Sequence, residues 1–118
     1  MLVDEPASAG GSDTGPKPTE LLLASLAACF TLAVAHAAGK AGRELADLSV
    51  RVRGEYRGLR FARITVEASS SQPELVRSVL DQAVRYSYVT GTITGAPEIE
   101  YRVEPAPSHG PTTPPRPR

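Results

Sequence analysis

The longest apolar stretch of the chain runs from Leu21 to Ala38, eighteen residues without a charge. Pro18 and Thr19 precede it, Glu20 complements the dipole in a first helical turn, and Gly39 with Lys40 marks a stop. These signals predict a helix over Glu20 to Ala38. Its apolar positions occupy every face, and seven of the eighteen are Ala, which is the pattern of a central buried helix. The stretch is also just long enough to cross a membrane. Ser25, Thr31 and His36 keep its hydropathy modest, however, and no Trp or Tyr flanks either end, so the buried helix is the expectation. A chain of 118 residues can hardly surround such a helix alone. A homodimer that covers the remaining apolar face is therefore expected.

After Gly42 the period changes from 3.6 to 2. Leu48, Val50 and Val52 alternate with Ser49, Arg51 and Arg53, which predicts a half-buried strand to about Tyr56. Arg57-Gly58 predicts a tight turn, and Ala62, Ile64, Val66 and Ala68 alternate along a return strand. Five arginines lie between Arg51 and Arg63, but Arg51, Arg53 and Glu55 take the outward positions, so a solvated hairpin face is favoured over an anion site. Ser71-Gln72-Pro73-Glu74 has capping-box spacing with an early proline and opens a second helix. Leu75, Val76, Val79, Leu80, Ala83 and Val84 form its apolar stripe. A connecting segment is expected from Ser87 to Pro97, with Gly91 and Gly95 as breakers. A last strand follows, in which Ile99, Tyr101 and Val103 alternate with Glu98, Glu100, Arg102 and Glu104. The order loop, helix, hairpin, helix, strand is that of an α+β domain, with the second, amphipathic helix packed on an antiparallel sheet.

Composition narrows the functional classes. Thirteen basic side chains balance thirteen acidic ones, and six aromatics offer few stacking platforms, so nothing supports a nucleic-acid partner. Six of the eleven prolines fall in residues 105–118, which carry no large apolar side chain. That segment is expected to be a disordered Pro-rich tail rather than a PxxP ligand, leaving 1–104 as the folded domain. Gly10 and Gly15 have superficial phosphate-loop spacing, but Pro16 stands where the lysine belongs. Met1 to Gly15 is acidic and glycine-rich, with no basic or apolar leader region, which together with a single cysteine fits a reducing, cytoplasmic compartment.

One thiol is the main reactive group. His36 and His109 are far apart, so no metal-ligand cluster is expected, and no GxSxG elbow is present. One cysteine also excludes an internal disulfide or a CxxC pair. Cys29 falls in about the third turn of the first helix, beyond the reach of that helix's own N-terminal dipole. An apolar setting raises a thiol above its free value of about 8.5, so the physics of the sequence favours a structural cysteine over a nucleophile.

Three runs carry a family resemblance: Asp4-Glu5-Pro6, then Gly10-Gly11-Ser12-Asp13, then Gly15-Pro16-Lys17-Pro18-Thr19-Glu20 continuing to Ala27-Ala28-Cys29. Together with Ser87-Tyr88-Val89-Thr90-Gly91-Thr92-Ile93, they make residues 4–104 similar to the OsmC/Ohr superfamily, the osmotically inducible and organic hydroperoxide resistance proteins. The resemblance implies an intertwined α+β homodimer with its central helices packed together. It further implies a thiol peroxidase in oxidative-stress defence, without metal or organic cofactor, in which Cys29 attacks an organic hydroperoxide. In the active relatives a second cysteine closes a disulfide that an external dithiol reduces, while an arginine and a carboxylate stabilise the thiolate.

The chain departs from that pattern at three places. Ser87 stands where the second cysteine is expected. Thr19 stands at the carboxylate position ten residues before Cys29, with Glu20 one residue on as an approximate substitute. The arginine belongs to strands that precede the Asp-Glu-Pro run, and this chain begins three residues before it, as a natural short form or from a start assigned downstream of the real one. Arg57, Arg60 and Arg85 are the alternative cations. The resemblance therefore implies a single-cysteine hydroperoxide reductase that uses Cys29, Glu20 and an external thiol. The contrasting expectation is a non-catalytic homodimer that binds a small hydrophobic ligand.

Overall fold

The computed structural model describes residues 4–5, 7–12 and 14–106. Residues 19–96 form one unit, and the two terminal segments belong to another. The first unit carries helix α1 (Pro18–Lys40), strands β1 (Ser49–Arg57) and β2 (Arg60–Ser69), and helices α2 (Pro73–Tyr86) and α3 (Tyr88–Gly95). This is an α+β arrangement with a two-stranded antiparallel sheet. From residue 107 on, the expected Pro-rich tail lies outside the described residues.

Helix α1 continues past Gly39. Its end is set by Gly42, which takes φ +72°, a conformation that favours a residue without Cβ. The Arg43 N–H donates to the Ala38 carbonyl at 2.9 Å and the Gly42 N–H to the Gly39 carbonyl at 3.0 Å, a Schellman ending that satisfies the orphaned carbonyls. Leu26, Phe30, Ala33, Val34, Ala37 and Ala38 form the buried stripe of α1. All but Leu26 meet Leu75, Val76, Val79 and Ala83 of α2, with Leu45, Leu48 and Val50 closing the side. Each fully buried aliphatic such as Val34 contributes about 1.5–3 kcal/mol. Leu80 and Val84, expected in the α2 stripe, are exposed. Although α1 is long and apolar enough to cross a membrane, a third of its most apolar window is buried inside the fold. Leu32 remains exposed on its other side, and Leu22, one turn before Leu26, is exposed at the start of the stripe.

The hairpin has a kink that alternation does not reveal. Glu55 faces Arg63, but Tyr56 faces Phe61, so Ala62 is an extra residue on β2. The bulge removes Ala62 from the inward series and brings Phe61 onto the face of Gly54, Tyr56 and Ile64. Phe61 stacks on Tyr56 with centroids 4.7 Å apart, and its ring occupies the space a Cβ on Gly54 would need. On the outer face Arg53 pairs with Glu67, and Arg63 approaches Glu55 at 3.7 Å. These exposed pairs fit the solvated face expected from the sequence, and each contributes at most about 1 kcal/mol.

Three further expectations are corrected. The Ser71–Glu74 capping box does not form: Gln72 occupies the cap position without a side-chain cap bond, and its Oε1 accepts from the Ala46 N–H at 2.8 Å instead. Ser70 and Ser71 turn back to Asp47, which accepts from both hydroxyls and from the Ser71 N–H. The segment after Ser87 is helix α3 rather than a loop. Ser87 caps it, which offsets part of the cost of two helical glycines, and the Thr92 and Thr94 hydroxyls donate to carbonyls one turn back, at 2.7 and 2.8 Å. Residues 97–106 contain no strand, and Ile99, Tyr101 and Val103 are exposed, because β1 and β2 pair only with each other among the described residues.

Candidate functional site

Cys29 lies part-buried on α1, where it meets the junction between α2 and α3. Ser87, 2% exposed, separates those two helices and directs its hydroxyl to Cys29 Sγ at 3.3 Å. The backbone at Ser87 is extended, with φ −81° and ψ 103°, which breaks the helical path and starts α3 at Tyr88. The first α3 bond is then the Gly91 N–H to the Ser87 carbonyl at 3.0 Å. The unpaired N–H groups of this new N-terminus face the sulfur.

This environment reverses the direction expected for the thiol's pKa. The Ser87 hydroxyl is the strongest influence, followed by the Val89 N–H, and together with the Tyr88 N–H they hold the Cys29 thiol below the ordinary cysteine range. Burial acts in the opposite direction and is outweighed. The donors are neutral hydroxyl and amide groups, and they belong to α3 rather than to α1. Sequence alone does not reveal them, because Gly91 and Gly95 predict a loop there; the signal that points the other way is Ser87, a preferred N-cap residue, followed three positions later by Thr90.

Glu20 is not brought to the thiol. Nine residues separate it from Cys29, which at roughly 100° per residue is two and a half turns, so the two project from opposite sides of α1. Glu20 instead lines a concavity of about 270 Å³ with Leu23, Ala24, Ala27 and Val52. Thr19 is hydrogen-bonded to the Tyr56 hydroxyl at 2.7 Å. Arg57 and Arg60 face each other across the hairpin tip. Arg85 lines a second concavity of about 390 Å³ with Tyr86, Ser87, Tyr88, Gly91 and Thr92. Tyr86 is itself surrounded by groups the sequence did not single out. Lys40 Nζ donates to its hydroxyl at 2.9 Å, and His36 meets its ring edge-on at 5.4 Å. The Lys40 hydrogen bond holds the phenol below the usual tyrosine range.

The pairing of position 29 with position 87 recovers in space what the two motifs showed apart in sequence. The profile of the OsmC-like proteins matches residues 10–102. The chain belongs to the OsmC-like protein family. Solved structures agree on the fold. An osmotic-stress-induced and detoxification response protein from Psychrobacter arcticus superposes with a TM-score of 0.65 at 19% identity, over 76% of this chain and 69% of that one. A hypothetical protein from Aquifex aeolicus gives 0.63 at 20% identity, over 72% and 70%. The organic hydroperoxide resistance protein OsmC of Legionella pneumophila, also described as a redox protein and regulator of sulfide bond formation, gives 0.55 at 22% identity, over 78% and 72%. At these identities the likeness is one of fold. No curated protein sequence matches the chain. In this OsmC-like chain the most specific motif therefore ends on Cys29, and the second motif begins on the hydroxyl that touches it.

Proposed function

We propose that the chain is a single-cysteine thiol peroxidase that reduces organic hydroperoxides, with Cys29 as the nucleophile. The observation that carries the reading is the Cys29 sulfur held among donors from Ser87 and the start of α3, since the thiolate is the reactive form. The thiolate attacks the terminal peroxide oxygen, the S–O bond forms as the O–O bond breaks, and the alkoxide leaves and takes a proton as the alcohol. Sulfur is oxidised to a sulfenic acid. Because position 87 is a serine, an external thiol forms the mixed disulfide and expels water. A second thiol equivalent then releases Cys29 and leaves as the oxidised disulfide.

The working form we propose is a cytoplasmic homodimer. Leu32, exposed on the side of α1 away from α2, supports it, and so do the hairpin edges, which pair with no further strand among the described residues, since a lone two-stranded sheet is marginal. A second reading, a non-catalytic dimer that binds a small hydrophobic ligand, has in its favour the concavity lined by Leu23, Ala24, Ala27 and Val52, with Glu20 beside them. Consumption of cumene hydroperoxide with excess dithiothreitol separates the two. Turnover that disappears in Cys29→Ser supports the peroxidase. Equal loss of peroxide with and without Cys29 supports the ligand-binding reading.

A further inference from the structure

A serine hydroxyl can donate one hydrogen bond and accept two. Both acceptor positions of Ser87 are taken by one residue: the Thr90 N–H at 3.4 Å and the Thr90 hydroxyl at 2.9 Å. The direction left for the Ser87 proton is toward Cys29 Sγ, 3.3 Å away. At 2% exposure Ser87 is shielded from competing water. A hydroxyl locked as a donor discriminates between the two forms of the sulfur. A thiolate accepts the hydrogen bond with a full negative charge, whereas a thiol is a weak acceptor whose own S–H finds no open lone pair on Ser87.

We propose that Thr90 and Ser87 form a directional hydroxyl relay that holds Cys29 as the thiolate, with Thr90 the positioning residue that fixes where the Ser87 proton points. The relay does the task for which the family resemblance invokes a cation. It also gives position 87 a role of its own, where comparison with a two-cysteine cycle finds only a missing sulfur. Its use in peroxide reduction rests on the proposed function, but its effect on the thiol is measurable without peroxide.

The experiment is the pH dependence of Cys29 alkylation by iodoacetamide in the full chain, with circular dichroism to verify the fold. In Ser87→Ala the half-reactive pH moves up, and alkylation near pH 6.5 falls roughly tenfold. Thr90→Val moves it up by less, and Thr90→Ser restores the native profile. Ser87→Asp still caps α3 but turns acceptor oxygens toward the sulfur, so the profile moves up again. Unmoved profiles in Ser87→Ala and Thr90→Val would overturn the relay even if peroxide is consumed. Shifted profiles without peroxide consumption would sustain the relay and overturn the peroxidase.

Discussion

Opposed influences meet at the Cys29 sulfur. Burial favours the neutral thiol, and three donors favour the anion, with the donors prevailing. A thiol depressed in the folded chain contributes stability that is fully present above its unfolded value of about 8.5 and is lost as pH falls through the folded value. Two measurements follow from this sign. Alkylation of native Cys29 sets in at lower pH than alkylation of the urea-unfolded chain. The difference in unfolding free energy between the native chain and Cys29→Ser grows as pH rises through that window. Glu20→Gln leaves the alkylation profile in place, because Glu20 and Cys29 project from opposite sides of α1. A profile shifted by Glu20→Gln would mean that the carboxylate reaches the thiol.

At the scale of elements, the hairpin depends on a missing Cβ. Gly54→Ala would press a methyl group into the Phe61 ring, which is held by its stack on Tyr56. Overpacking of this kind costs about 1–3 kcal/mol, to be read as a lower urea midpoint at unchanged slope. A midpoint equal to native would mean that the bulge can shift to release Phe61. The same region shows why period alone reads a strand incompletely. Alternation placed Ala62 inward with Ile64, Val66 and Ala68, and only pairing with Tyr56 reveals that Phe61 takes that face. Helices α1 and α2 were legible in advance because their apolar positions and prolines are local signals. Helix α3 was not, since two glycines argue against a helix until the Ser87 cap is counted. The Cys29 chemistry was lost with it, as the donors belong to α3. Ile99, Tyr101 and Val103 have strand alternation, but a strand also needs a partner edge, which no local pattern supplies.

For the whole molecule, the remaining question is what covers α1. Its buried stripe meets α2, while Leu32 on the other side is 72% exposed. A second copy packed on that face would remove it from water, and Leu32→Glu would then put a charge into the contact. Sedimentation equilibrium should give a dimer for the native chain and a monomer for Leu32→Glu. A native monomer would remove the dimer from the proposal and leave the Cys29–Ser87 contact unaffected, since both residues belong to one chain.

Peroxide reduction is a chemical event at one atom, Cys29 Sγ, and a single turnover reads it. Reduced protein is mixed with one equivalent of cumene hydroperoxide in the presence of dimedone and analysed by peptide mass spectrometry. The account predicts stoichiometric conversion to the alcohol and a dimedone adduct on Cys29, formed faster than on free cysteine at the same pH. Recovery of intact peroxide with unmodified Cys29 would contradict it.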